Sequence, residues 1–92
     1  MRKYELTLVL KPTLKKEDQD KLLKEIKKWL GKGKILSTKS WGKKQFSYLI
    51  NKEKEGEYLF LEIEIEPEKG GVIEKRLRLE EGVLRHLLIR ED

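Results

Sequence analysis

One segment of the chain, residues 40–51, combines cationic and aromatic residues in a spacing suited to contacting phosphate. Lys43 and Lys44 follow Gly42, and a glycine at this point can bulge or bend a strand. The next residues alternate large apolar with other side chains, so one strand face would carry Phe46, Tyr48 and Ile50. The segment predicts a strand with cations at its bend. It is either a phosphate-contacting surface or a buried strand preceded by a solvated lysine pair.

Cations also mark the ends of the first and last predicted strands. Arg2 and Lys3 begin the first strand, and Arg90 ends the last. These two strands are expected to pair in the centre of an antiparallel sheet, which would cluster their cations at one end. Ordinary solubilising charge at strand ends is the alternative.

Three aromatic residues are expected on the open face of the sheet, namely Tyr4, Tyr58 and Phe60. RNA bases can stack on such a face. The glycine-aromatic signature of the RNA-recognition motif is absent, so protein contact or partial burial explains these aromatics as well. Trp29 lies on a helical apolar stripe and is expected in the core.

The composition favours a folded cytoplasmic protein with an anionic partner. The 92 residues fit one domain, residues 1–92, and the net charge is +5. No cysteine is present, which excludes disulfides and thiolate metal sites. No cofactor, signal peptide or membrane span is expected.

The apolar periodicity predicts the order strand, helix, strand, strand, helix, strand. The strands are predicted at residues 3–10, 34–50, 57–66 and 83–90, and the helices at 15–30 and 68–79. Thr13 is the expected N-cap of the first helix, 52–56 the expected polar turn, and Gly70 with Gly71 should delay or fray the second helix. This order is the α+β, ferredoxin-like split βαβ pattern: a four-stranded antiparallel sheet with two helices on one face.

Catalytic constellations are missing from the sequence. His86 has no acid or nucleophile beside it, and the alternating Glu62, Glu64 and Glu66 are typical of a solvated face that pairs with lysines. A small enzyme of the acylphosphatase kind would need an arginine and an asparagine in a loop after the first strand. Here that loop contains neither, and the only asparagine is Asn51. We therefore predict that the protein is not an enzyme.

Short motifs along nearly the whole chain resemble the bacterial small-subunit ribosomal protein six family. They are Met1-Arg2-Lys3-Tyr4-Glu5, Trp41-Gly42-Lys43-Lys44-Gln45-Phe46-Ser47-Tyr48, Ile50-Asn51-Lys52, Gly56-Glu57-Tyr58, Leu77-Arg78-Leu79 and Val83-Leu84-Arg85 with Arg90. The chain departs from the family in having lysines for the usual arginines at 43 and 44, which removes bidentate phosphate geometry. It also ends at Asp92 without an extended acidic tail.

The resemblance implies a structural protein of the small ribosomal subunit. It would bind the central domain of small-subunit ribosomal RNA as a heterodimer with small-subunit ribosomal protein eighteen. A protein-only interaction or ligand-sensing module on the same fold is the alternative. The residues expected to contact RNA or the partner are Arg2, Lys3, Tyr4, Trp41, Lys43, Lys44, Tyr58, Arg85 and Arg90.

Overall fold

The predicted order of elements is confirmed by a computed structural model, which describes residues 1–50 and 52–91. The strands are β1 (Arg2–Leu10), β2 (Lys34–Ile50), β3 (Glu53–Ile65) and β4 (Val83–Arg90), and the helices are α1 (Lys16–Trp29) and α2 (Lys69–Arg78). The four strands form one antiparallel sheet in the order β2-β3-β1-β4. This is the ferredoxin-like split βαβ fold. β1 and β4 pair as predicted, but β4 is an edge strand and not a central one.

The core lies between the sheet and the two helices. Leu6 and Leu8 of β1 stand opposite Leu61 and Leu59 of β3, and none of the four is more than 5% exposed. The helices cover this surface with the apolar stripes that their sequence periodicity predicts. Those stripes consist of Leu22 and Ile26, followed by Leu30, from α1, and Ile73 and Leu77 from α2.

Two aromatic residues pack against this core, and one of them corrects a prediction. Trp29 is partly buried against the core, as expected. Tyr4 also packs there, so it lies on the helix-covered face and does not line the open face as predicted. Successive strand side chains alternate between faces, which places Tyr4 on the same side as Leu6 and Leu8.

The ends of α1 follow the helix-dipole rule more closely than the capping rule. Lys15, without a side-chain cap, is the N-cap of α1, so the predicted Thr13 cap is wrong. Acidic residues lie in the first turn and basic residues in the last, as the helix dipole favours. The second helix begins at Lys69, one residue after the predicted 68, and includes Gly70 and Gly71, so the delay expected from these glycines is wrong. Neither helix, within the described residues, is long and apolar enough to cross a membrane.

The β2–β3 hairpin is tighter than predicted. β3 begins at Glu53, so the predicted turn over 52–56 is wrong, and Lys52 has a positive φ of 67°. Asn51, which the sequence places in this turn, lies outside the described residues, as does Asp92. The ladder between β2 and β3 breaks between Gln45 and Ile50, which stand opposite Glu55 and Glu53. Residues 46–49 are therefore free of regular pairing and can bend the hairpin.

Candidate functional site

The sheet face opposite the helices, called here the open face, carries most of the candidate residues. Tyr58 and Phe60 of β3 stand opposite Val9 and Thr7 of β1, on the side away from the core. The same register continues to β4, where Arg85, Leu87 and Ile89 share this face. Leu87 and Ile89 are about half exposed, at 54% and 51%. An apolar surface therefore extends over much of the open face.

Four aromatic side chains form a row along this face. Trp41 lies 4.5 Å from Phe60, measured between ring centroids, at an interplanar angle of 53°. Phe60 and Tyr58 are 6.5 Å apart, and Tyr58 and Phe46 are 6.4 Å apart. These separations are in the range of favourable aromatic pairs. The row is thus a continuous strip of rings that leaves Trp41 57% exposed at one end.

A β-bulge places Trp41 in this row. Ser40 stands opposite Leu59 and Gly42 opposite Tyr58, so Trp41 is an extra residue in β2. Gly42 has a φ of +76°, which is in the left-handed region that glycine adopts without strain, and its N–H donates to the Ser40 Oγ at 3.3 Å. The predicted bend at Gly42 is confirmed.

The other half of the open face contains a groove of about 500 Å³. Arg85 of β4 crosses its mouth and donates a hydrogen bond from Nη1 to the Tyr48 Oη at 3.2 Å. Because β2 and β4 are opposite edges of the sheet, this bond shows that the end of β2 curls over the open face. The groove is lined by Thr7, Val9, Gln45, Phe46, Ser47, Tyr48, Ile50, Tyr58, Arg85, His86 and Leu87.

Lys43 and Lys44 are exposed on the edge strand β2 but point to opposite faces. Lys43 stands opposite Glu57, whose Oε2 accepts a hydrogen bond from Gln19 of α1 and so lies on the helix side. Lys44 stands opposite Gly56, where an added Cβ would meet Phe46 and so lies on the open side. The β2 edge therefore presents one lysine on the helix side of the sheet and one on the open side.

The charges of the sheet are segregated by strand. Edge strand β2 carries lysines and no carboxylate, and edge strand β4 carries two arginines and a histidine. β3, in the centre, carries five glutamates and one lysine. Both edges are therefore cationic, and such edges resist pairing with another copy of the sheet.

One end of the open face is acidic. Glu5 and Glu62 stand directly opposite each other across β1 and β3, although like charges in this position are unfavourable. Glu64, by contrast, has Lys3 and Lys34 as its neighbours on the two adjacent strands, which is the lysine pairing that the sequence predicts. Trp41 and Phe60 lie in a shallow depression beside Glu5 and Glu62, and Lys39 and Glu91 also line it, so carboxylates outnumber cations there.

The structure brings the terminal cations to the same end of the sheet but divides them between its faces. Arg90 stands opposite Tyr4, and the Glu91 N–H donates to the Lys3 carbonyl at 2.9 Å. Alternation puts Arg2 on the helix side with Tyr4, and Lys3 on the open side with Glu64. The predicted residues therefore form several separate surfaces and not one cluster.

Of the residues that line the groove, only Tyr58 and Arg85 were predicted as site residues from the sequence. Phe46 and Tyr48 lie in the same motif as Trp41, Lys43 and Lys44, but they were not predicted to contact RNA or the partner protein. Leu87 shares the open face with Arg85, a position that the alternation of β4 already indicates. The contact between Tyr48 and Arg85 has no sequence signal, because it depends on how the hairpin curls.

Comparisons with known proteins all lead to one family. The sequence profile described as Ribosomal protein S6 matches residues 3–90. A small ribosomal subunit protein bS6 from Caldanaerobacter subterraneus is 35% identical over 94 residues, covering 100% of this chain and 99% of the relative. One from Desulforudis audaxviator is 33% identical and is covered fully in both directions. The crystal structure of 30S ribosomal protein S6 from Thermotoga maritima is similar, with a TM-score of 0.86, 25% identity, and coverage of 98% of this chain and 87% of that one.

Proposed function

The chain belongs to the Ribosomal protein S6 family, and from this premise we propose that it binds the central domain of small-subunit ribosomal RNA together with small-subunit ribosomal protein eighteen. The family consists of structural ribosomal proteins and not of enzymes, so the chain is a component of the small ribosomal subunit in the cytoplasm. The observation that carries the proposal is the match over residues 3–90, which includes every helix and nearly all of every strand.

The cationic edges of the sheet support contact with RNA. Lys43 and Lys44 project to both sides of the β2 edge, and Arg85 projects over the open face from the β4 edge. RNA affinity rests largely on such contacts with phosphate. The RNA would therefore approach the edges of the sheet and avoid the carboxylates of β3.

The acidic end of the open face supports contact with a protein. Trp41 is exposed beside Glu5 and Glu62, and these carboxylates repel phosphate. An exposed aromatic ring next to carboxylates suits a cationic side chain of a protein partner. Protein eighteen would therefore contact the Trp41 end, and RNA the edges. Tyr58 lies between these regions, and the terminal residues Arg2, Lys3, Tyr4 and Arg90 are proposed as contacts at the adjoining end of the sheet.

The test is a binding titration with central-domain RNA in the presence and absence of protein eighteen, read by fluorescence anisotropy. We expect tight binding when both proteins are present and much weaker binding of either one alone. Binding of protein eighteen without any RNA affinity would favour the protein-only module. An absence of binding to both partners would contradict the proposal.

A further inference from the structure

We propose that the groove beneath Tyr48 and Arg85 binds an unpaired RNA nucleotide, with its base among the aromatic rings and its phosphate at the Arg85 guanidinium. This inference rests on the RNA-binding function proposed above and adds a site to it. The volume of about 500 Å³ is within the range of pockets that hold a small ligand or a single group of a larger one. The lining residues determine the chemistry of the occupant.

The walls of the groove suit a flat aromatic group. Phe46 and Tyr58 have ring centroids 6.4 Å apart, and Tyr48 contributes a third ring that is 62% exposed. Val9 and Leu87 add apolar side chains to the lining of the groove. Every nucleobase has a π face that stacks on such rings, and this stacking does not depend on base identity.

The lining also includes hydroxyl, amide, imidazole and guanidinium groups, which suit the edge and phosphate of a nucleotide. Thr7 contributes a hydroxyl and Gln45 an amide, which donate and accept hydrogen bonds. Arg85 at the mouth is the cation best placed to bind phosphate, because its guanidinium offers several N–H donors in a planar fork. Its bond to the Tyr48 hydroxyl uses one nitrogen, Nη1.

The charge distribution separates this groove from the Trp41 end of the same face. No carboxylate is among the described residues that line the groove, whereas three carboxylates, Glu5, Glu62 and Glu91, and one cation, Lys39, line the depression at Trp41. An anion is therefore favoured at the Arg85 half and disfavoured at the Trp41 half. Charge complementarity thus selects a nucleotide over a cationic peptide for the groove.

The hydrogen bond between Arg85 and Tyr48 gives a matched pair of variants. Tyr48→Phe keeps the ring and removes the hydroxyl, whereas Tyr48→Leu removes the ring. Because Tyr48 is largely exposed, neither variant should prevent folding. Stacking predicts that the leucine variant loses affinity for bases by about tenfold, and that the phenylalanine variant keeps most of it.

The experiment follows the amide NMR shifts of the isotope-labelled protein during two titrations. One ligand is single-stranded tetra-adenylate RNA, and the control is an abasic ribose-phosphate tetramer of equal charge. We expect the RNA to shift the amides of Thr7, Gln45 and Leu87, and the abasic tetramer to shift them far less. Equal shifts by both tetramers, no shift by either, or equal losses in the two Tyr48 variants would each overturn the proposal. A larger shift with an acidic phenylalanine-containing peptide would also overturn it, in favour of a protein occupant. If the protein still binds central-domain RNA when any of these results is obtained, the proposed function holds but the groove is not a nucleotide site.

Discussion

Lys43 and Lys44 are neighbours in sequence, yet the geometry of β2 sends their side chains to opposite faces of the sheet. They cannot hold one phosphate as a pair. Each would contact a different phosphate, on either side of the edge, and each would contribute separately to affinity. A lysine ammonium is a point charge and lacks the planar fork of arginine. Each lysine would therefore attract a nearby phosphate without fixing its orientation.

The double change Lys43→Glu and Lys44→Glu should weaken binding to central-domain RNA strongly while leaving the fold intact. Both side chains are exposed, but a glutamate at 43 would stand opposite Glu57, so the free energy of unfolding should fall by up to about 1 kcal/mol. Titration and thermal unfolding measure the two effects. The control is Lys75→Glu with Arg78→Glu, an equal change of charge on the exposed surface of α2. Equal RNA affinity in the two double variants would exclude the lysines from the interface.

Glu62→Gln tests whether the acidic end serves a partner at the expense of stability. Removing the charge relieves the repulsion by Glu5, so the free energy of unfolding should rise, by up to about 1 kcal/mol. Affinity for protein eighteen should fall if that partner contacts this end through cationic side chains, as proposed, because the variant removes a carboxylate from the surface. Chemical denaturation and calorimetric titration measure these changes. Unchanged affinity for protein eighteen would place the protein interface elsewhere.

At the scale of elements, apolar periodicity predicted the order and type of all six, and the limits of β2 and β4 agree with the prediction. The β2–β3 hairpin was predicted less well, because Glu53 to Gly56 are polar and read as a turn. Long-range pairing with β2 extends the strand through them. Local propensity is weak evidence wherever such pairing decides the structure.

Two glycines near the helices should respond to alanine in opposite directions. A Cβ at Gly33, between α1 and β2, would overlap the Glu64 carbonyl oxygen, so Gly33→Ala should destabilise the protein by about 1–3 kcal/mol. A Cβ at Gly71, within α2, meets no atom within 4 Å, so Gly71→Ala should stabilise by about 0.5–1 kcal/mol. Urea unfolding of both variants measures the difference. A stabilising Gly33→Ala would contradict the close approach of the two backbones.

At the scale of the whole molecule, the sequence predicted which residue types matter better than it predicted which of them share a surface. The alternation that puts Leu6 in the core also puts Tyr4 there, so the position of Tyr4 was available from the sequence. The approach of Tyr48 to Arg85 was not available. It joins opposite edges of the sheet through the curl of a hairpin, and no local pattern encodes that distance.

The whole molecule also separates its charges, with cations on both edge strands and carboxylates on the central strand β3. Under the proposed function, this arrangement would present cations to RNA at the edges of the sheet and carboxylates to a protein at one end of its open face. The net charge of +5 does not reveal this, because it sums over both regions. Mutations at the edges should therefore weaken RNA binding directly, whereas mutations at the acidic end should weaken binding of protein eighteen and lower RNA affinity only through it.

The most direct test of RNA binding through the cationic edges is the salt dependence of central-domain affinity, measured with protein eighteen present. Binding of lysine and arginine to phosphate releases counterions, so the logarithm of affinity should fall linearly with the logarithm of salt concentration. The decrease should be roughly tenfold or more between about 50 and 200 mM. The Lys43→Glu and Lys44→Glu double variant should show a shallower slope, by about one for each phosphate that a lysine no longer neutralises. Affinity that is insensitive to salt, or an equal slope in the double variant, would contradict RNA binding through the edges.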